Sequence, residues 1–194
     1  MNVLSIYLDK NFYTKEIDNF DDKYIGIVVK DECECKKGCI RYSDCTFLPV
    51  EKIRHPEKLI SYQRCWEVIN ELRYGTLCIN TDTYPHAVGM NHIVLDGHIY
   101  FHCAQKGYKL KGLDHKVNYN LIQDLGINTE IGTHNHRSVS VYGILKEVKD
   151  LSIKKDVLLK LIEGTKHPYH DRMLQTTKIL EIEIDFIQGK EHIY

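Results

Sequence analysis

The 194-residue chain has no excess charge of either sign, because 26 lysines and arginines nearly balance 27 aspartates and glutamates. A nucleic-acid-binding protein normally carries a basic excess or a basic stripe, so we predict no nucleic-acid partner. Long apolar runs are also missing. Stretches such as YIGIVV and HIVL are far shorter than the roughly 20 residues that cross a bilayer, so we predict no membrane segment.

The first residues, MNVLSIYLDKNF, lack the basic region, long apolar region and small-residue cleavage site of a secretion signal. The seven cysteines are an odd number, which argues against a disulfide framework. Together these features predict a cytoplasmic protein with reduced thiols.

Two parts of the chain differ in character. Residues 1–54 alternate short strand-like runs with acidic, turn-rich pieces and include the cysteine-rich segment CECKKGCIRYSDC. Residues 55–194 carry regular helix and strand patterns without an internal repeat or a low-complexity linker. We therefore predict an N-terminal extension, residues 1–54, followed by one domain, residues 55–194.

The second part alternates strand and helix patterns. EKLISYQRCWEVINELRYG has apolar residues at helical spacing and Gly75 as its expected stop, and SIKKDVLLKLIEG has a second apolar helical face. Asp96-Gly97 between apolar runs predicts a hairpin, and Gly143 within SVSVYGILKEV predicts either a bulge or a close backbone approach. ILEIEIDF alternates strictly, as a half-buried antiparallel strand does. About six strands with helices on the outside predict a small, mainly β barrel.

The stretch GHIYFHCAQKGYK, residues 97–109, combines a strand pattern with cationic and small residues. The strand should end near His102, and a helix should begin within Ala104 to Lys109. A helix N-terminus with Lys106 or Lys109 and a flexible Gly107 suits a phosphate. The alternative is a solvated turn beside a surface helix.

Four motifs in order, YGTLCIN, TYPHAVGMNHIVLDGHIYFHCAQKGYKL, HRSVSVYGILKEV and EIEIDFIQGKEHIY, carry a family resemblance over roughly residues 53–194. They resemble the NimA-like (5-nitroimidazole resistance) branch of the flavin split-barrel family, which is related to pyridoxamine 5′-phosphate oxidase. The chain departs from the family pattern at Gly89, where many relatives have proline, and in the histidine-rich GTHNH.

This resemblance implies a six-stranded antiparallel split β-barrel, a homodimer with flavin mononucleotide (FMN) at its interface, and a small-molecule substrate. It implies that His102 lies at the flavin ring as a catalytic residue and that Lys109, with Gly107, holds the phosphate. The cofactor site implied by the family comprises His86, Ala87, Val88, His102, Cys103, Ala104, Gly107, Lys109, Arg137 and Ser138.

The resemblance further implies an oxidoreductase that reduces nitroaromatic or nitroimidazole-type molecules. NAD(P)H is the expected electron donor on the same ground, although the chain has no G-x-G-x-x-G motif. The alternative is a non-catalytic protein that stores, senses or sequesters flavin or haem. The eleven histidines keep haem open as a ligand.

Two clusters could bind metal. Cys33, Cys35, Cys39 and Cys45 could hold zinc through four thiolates, but they lack the paired C-x2-C spacing of zinc ribbons, so free thiols are the alternative. His134 and His136 form an H-x-H pair that would share one face of a strand, as a metal pair or a haem contact requires, and solvated residues in a polar loop are the alternative. Cys65, Cys78 and Cys103 are expected to be buried small hydrophobic residues.

Overall fold

A computed structural model describes residues 24–25, 48–49, 55 and 58–194 of the chain. Two short strands, β1 (Tyr24–Ile25) and β2 (Leu48–Pro49), pair antiparallel. The remaining elements are helix α1 (Tyr62–Glu71), strands β3 (Tyr74–Ile79), β4 (His86–Asn91), β5 (Ile93–Leu95) and β6 (His98–Ala104), a 3₁₀ helix (Tyr108–Gly112), strands β7 (Lys116–Asn128) and β8 (Thr133–Glu147), helices α2 (Leu151–Ile162) and α3 (Arg172–Thr176), and strand β9 (Thr177–His192).

Strands β3 to β9 form one sheet in the order β4-β3-β7-β8-β9-β6-β5. The pairs β3–β4, β5–β6 and β6–β9 are antiparallel. The predicted class, mainly β with a few helices, is confirmed, and the sheet has seven strands where about six were expected. In the part of the chain that the structure describes, no helix has the length and apolar character needed to cross a membrane.

The chain divides into two compact units. Among the described residues, the first unit contains 24–25, 48–49, 55, 58–72, Asn120–Tyr142 and Ile184–Tyr194. Its helix α1 packs closely on β9: a Cβ added at Gly189 would lie 2.6 Å from Cys65 Sγ, and Ile60 N donates to Gly189 O at 3.1 Å. Glycine at position 189 therefore permits the helix to approach the strand.

The second unit contains Arg73–Tyr119 and Gly143–Glu183. Helix α2 contributes Val157 and Leu158 to its core. The buried members of this core are Ile93, Tyr100, Val148, Val157, Leu158 and Ile179. The close approach predicted at Gly143 is confirmed, because a Cβ there would lie 2.1 Å from the carbonyl oxygen of Glu183.

The predicted hairpin at Asp96-Gly97, between β5 and β6, is confirmed. Both Asp96 (φ 50°) and Gly97 (φ 78°) have the positive φ values that a two-residue hairpin turn of type I′ requires. Leu95 then pairs with His98 across the turn.

Two predicted element ends were wrong. Helix α1 stops at Glu71, because Leu72 turns to an extended conformation (φ −90°, ψ 154°), and Gly75 is a residue of β3 opposite Met90. The pattern KVNYNLIQDLG likewise predicts a strand that ends at Gly126, but β7 continues to Asn128. In both places the pairing of strands decides the boundary, and the glycine does not.

Candidate functional site

His102 lies near the end of β6, in the second unit, opposite Ile179 of β9. The side chain is partly buried, and no residue of the described chain forms a hydrogen bond with its buried Nδ1 atom. Burial, and secondly the positive charge of Lys109, lowers the pKa of the imidazole below its ordinary value. The ring is therefore neutral at pH 7, and its buried Nδ1 atom has no hydrogen-bond partner among the described residues.

The segment after β6 differs from the predicted helix start. It forms a 3₁₀ helix of five residues, Tyr108–Gly112, preceded by Gly107 at φ 154°. So short a helix has too few aligned peptides to build a substantial dipole, so the argument for phosphate binding at a helix N-terminus does not hold here. Any anion site at this place must depend on side-chain charge and on the open backbone at Gly107.

Lys109 supplies such a charge. Its Nζ atom would lie 3.7 Å from a Cβ added at Gly107, and its field reaches both His102 and Cys103. No hydrogen bond or ion pair to the Lys109 ammonium is formed by a residue that the structure describes. Across from Cys103, by contrast, Lys178 donates to Glu147 Oε1 at 2.7 Å. Lys109 is therefore a cation without a described counter-charge, and its field acts on a neutral histidine.

Strand β4 is an edge strand of the sheet, so it is hydrogen-bonded to a neighbouring strand, β3, along one side. Three residues of the cofactor site that the resemblance implies, His86, Ala87 and Val88, pair with Ile79, Cys78 and Leu77 of β3. An edge strand leaves alternate backbone N–H and C=O groups without a partner strand. β4 can therefore offer main-chain hydrogen bonds to a flat ligand.

A ring contact connects this edge with the 3₁₀ helix. The rings of His86 and Tyr108 meet edge to face, with centroids 5.0 Å apart and planes at 69°. Within the second unit the structure thus gathers His86, Gly107, Lys109, His102 and the mostly buried Cys103. Ala104 is exposed at the end of β6.

Three residues near this site, Tyr108, Lys178 and Glu147, were not predicted from the sequence. Tyr108 lies between Gly107 and Lys109, which the resemblance assigned to the cofactor site, so its place in the sequence could have indicated it. Lys178 and Glu147 had no such signal, because only the pairing of β6 with β9 places Lys178 opposite Cys103.

Arg137 and Ser138 lie on β8 in the first unit. Arg137 forms an ion pair through Nε with the Glu191 carboxylate, and its Nη1 donates to Gln123 Oε1 at 3.2 Å. The guanidinium already has a counter-charge, so its predicted contact with a cofactor stays a prediction. Ser138 is half-buried.

The zinc candidates Cys33, Cys35, Cys39 and Cys45 lie outside the described residues. Within the described ranges, no group of three or more histidine, cysteine, aspartate or glutamate side chains could hold a metal ion. His136 instead stacks on His192, with centroids 4.7 Å apart.

The other three cysteines were expected to be buried. Cys65 and Cys103 are buried as predicted, and Cys78 is half-buried. Burial raises the pKa of the Cys65 thiol to about 12 and also raises that of Cys103. Neither buried thiol is therefore a reactive thiolate at neutral pH.

Comparison with known proteins places this geometry in a family. The model of the family described as pyridoxamine 5′-phosphate oxidase matches residues 61–191. No curated protein sequence matches the chain significantly.

Solved structures share the fold at low sequence identity. The flavocytochrome Anf3 from Azotobacter vinelandii has a TM-score of 0.62 at 16% identity, over 73% of this chain and 72% of that one. A candidate 5-nitroimidazole antibiotic resistance protein from Bacteroides thetaiotaomicron has a TM-score of 0.60 at 20% identity, over 69% and 86%. An FAD- and haem-binding protein from Mycobacterium smegmatis has 0.57 at 14% identity, over 69% and 72%. The predicted split-barrel fold is confirmed.

Proposed function

Because the chain belongs to the pyridoxamine 5′-phosphate oxidase family, we propose that it binds a flavin and acts as an oxidoreductase on a small molecule. We propose FMN as the flavin, since Lys109, which has no described counter-charge, suits a single phosphate. NAD(P)H is the proposed electron donor and a nitroaromatic or nitroimidazole-type molecule the proposed substrate.

One observation carries this proposal: Lys109 has no described counter-charge, and beside it His102 has a buried Nδ1 atom without a hydrogen bond. A buried polar atom without a partner costs free energy unless something else satisfies it. An anionic ligand that also offers a hydrogen-bonding edge would satisfy both groups. The donor set therefore fits a flavin phosphate with an adjoining polar ring.

Each residue then has a defined task. Lys109 binds the phosphate through a charge-assisted hydrogen bond, and Gly107 leaves the backbone open beside it. The edge of β4 at His86, Ala87 and Val88 orients the ring through main-chain groups. His102, neutral at pH 7, accepts or donates a proton at Nδ1. A bound flavin supplies the electron transfer, whereas the protein supplies position and electrostatics.

The comparisons support this proposal at the level of fold. Proteins that share the fold are described as a flavocytochrome and as an FAD- and haem-binding protein. Haem is therefore the second candidate cofactor, and the neutral His102 is the residue that favours it, because neutral imidazole is a common iron ligand. In that case the protein would store, sense or sequester its cofactor.

Absorption spectroscopy of the purified protein tests the proposal. A flavin spectrum that dithionite bleaches would support flavin binding, and a Soret band would favour haem. Turnover of NAD(P)H with a nitroaromatic acceptor would separate an enzyme from a binding protein. A colourless protein that takes up neither flavin nor haem would contradict both readings.

Replacement of Lys109 by alanine tests the phosphate contact. The change should weaken FMN binding by about 1.5–3 kcal/mol, which is roughly tenfold or more, because a charge-assisted hydrogen bond is lost. Lys106→Ala is the matched control, since Lys106 is exposed and contributes no charge effect at His102. Unchanged FMN affinity in Lys109→Ala would show that the phosphate lies elsewhere.

We also propose that the protein is a homodimer, in which Arg137 and Ser138 reach the partner's cofactor. Sedimentation or light scattering should then give twice the 22.7 kDa mass of one chain. A monomer that retains flavin would contradict this arrangement.

A further inference from the structure

The segment His192–Tyr194, here called the clasp, is fastened to other parts of the first unit by side-chain hydrogen bonds. Tyr194 N donates to Asn135 Oδ1 at 3.2 Å, and Asn128 Nδ2 donates to Tyr194 O at 2.7 Å. Lys58 Nζ contacts two clasp side chains, His192 Nδ1 at 3.1 Å and the Tyr194 hydroxyl at 2.8 Å. One ammonium group therefore holds both ends of the clasp.

The contact between Lys58 and His192 determines the protonation state of the ring. An ammonium group has three donors and no acceptor, so Lys58 can bond to His192 Nδ1 only if that nitrogen carries a lone pair. His192 must then be neutral, with its proton on Nε2. A protonated ring would present an N–H to the ammonium, and the hydrogen bond would be lost.

The groups around His192 in the described chain are themselves basic. Its ring stacks on His136 of β8, with centroids 4.7 Å apart and planes 9° from parallel. Burial first, and then the charges of Lys58, His136, His55 and Lys190, lower the pKa of His192.

The side-chain carboxylate nearest to His192 in the sequence, that of Glu191, is already paired with Arg137. A proton on His192 would therefore add positive charge next to the Lys58 ammonium and the stacked His136 ring.

We propose that the clasp is a pH-sensitive device: neutral His192 fastens it to Lys58, and protonation of His192 opens it. The added proton occupies Nδ1, removes the acceptor for Lys58 and places a second positive charge beside the first. Glu191 stays bound to Arg137, so the chain opens beyond that anchor. Opening uncovers the His136 ring and frees the Asn128 and Asn135 side chains.

The direction of the pH effect follows from linkage. Protonation is less favourable in the closed clasp than in the open one, so the closed form gains its full stability at pH values above the ordinary histidine pKa. That stability is lost as the pH falls through the lowered pKa of His192. The clasp is thus closed at pH 8 and loosens under mildly acidic conditions.

Nuclear magnetic resonance of the full chain tests this proposal. At pH 8 the side-chain nitrogens of His192 should show the neutral form protonated at Nε2, and Ile193 and Tyr194 should have rigid amides. At pH 5 the amide protection of these two residues should fall severalfold, after correction for intrinsic exchange. Unchanged protection between pH 8 and pH 5 would overturn the proposal.

Two variants identify the group responsible. His192→Gln offers an amide oxygen to Lys58 but cannot titrate, so its clasp should stay ordered at both pH values. Lys58→Met removes the donor, so its clasp should be loose already at pH 8. The proposal is wrong if His192→Gln loosens with the same midpoint as the unchanged protein, or if Lys58→Met retains full protection at pH 8.

Discussion

Lys109 and His102 affect each other through charge, at a distance of seven positions along the chain. The charge of Lys109 disfavours a proton on His102, in addition to the larger effect of burial. Since the folded-state pKa lies below the unfolded one, neutral His102 stabilises the fold fully above the ordinary histidine pKa. This contribution is lost as the pH falls through the lowered value.

We predict that Lys109→Met raises the pKa of His102, because the repulsive charge disappears while burial remains. Histidine chemical shifts followed between pH 4 and pH 8 measure the change. Lys106→Met should leave the titration as it is. An unaltered His102 titration in Lys109→Met would place the lysine charge away from the ring.

A second residue-scale prediction concerns Gly143. Alanine there would put a methyl group against the Glu183 backbone, where a Cβ would lie 2.1 Å from the carbonyl oxygen. We expect Gly143→Ala to lower the free energy of unfolding by about 3 kcal/mol, because a paired strand cannot move aside cheaply. Urea denaturation measures this loss.

Gly89 provides the matched control for this substitution. It lies on edge strand β4, and a Cβ there would meet no atom within 4 Å. Gly89→Ala should change stability by less than about 0.5 kcal/mol. Similar effects of the two substitutions would contradict the close approach at Gly143.

At the scale of elements, periodicity predicted whether a segment forms a helix or a strand better than it predicted the length of that element. Strand β9 runs for 16 residues, twice the length of the alternating motif ILEIEIDF. Leu180 and Ile182 are buried as the alternation requires, whereas farther along the odd-numbered Ile187 and Gly189 are buried. The buried face of β9 therefore changes along the strand, because the contacts within each unit decide which side chains are covered. A short motif contains no information on this change.

Helix α2 gives the element-scale prediction. Asp150 caps its start, accepting at Oδ1 from the backbone N–H of Ser152 at 2.8 Å and of Ile153 at 3.0 Å. Asp150→Ala should cost about 1 kcal/mol because both donors lose their acceptor. Thermal unfolding should then shift down by roughly 2–4 °C. Asp150→Asn keeps an acceptor and should retain most of the stability, which a loss as large as that of alanine would refute.

At the scale of the molecule, the predicted boundary between an N-terminal extension and a domain stays a prediction. The family match begins at residue 61, which is consistent with a domain that needs little of residues 1–54. We expect a protein truncated to residues 55–194 to fold, because the described core residues lie at position 60 and beyond. Circular dichroism and a cooperative thermal transition would verify this. A truncated chain without a cooperative transition would show that the earlier residues complete the core.

The sequence alone determined the fold class and the Asp96-Gly97 hairpin, and it limited Gly143 to a bulge or a close approach, because period-two patterns and glycine positions are local properties. It also identified the family, whose motifs keep their order along the chain. Tertiary structure decided that the segment after His102 is a 3₁₀ turn, that Glu147 neutralises Lys178 but no described carboxylate neutralises Lys109, and that Arg137 is engaged by Glu191. These are matters of strand register and charge pairing between residues distant in sequence, which no local pattern encodes.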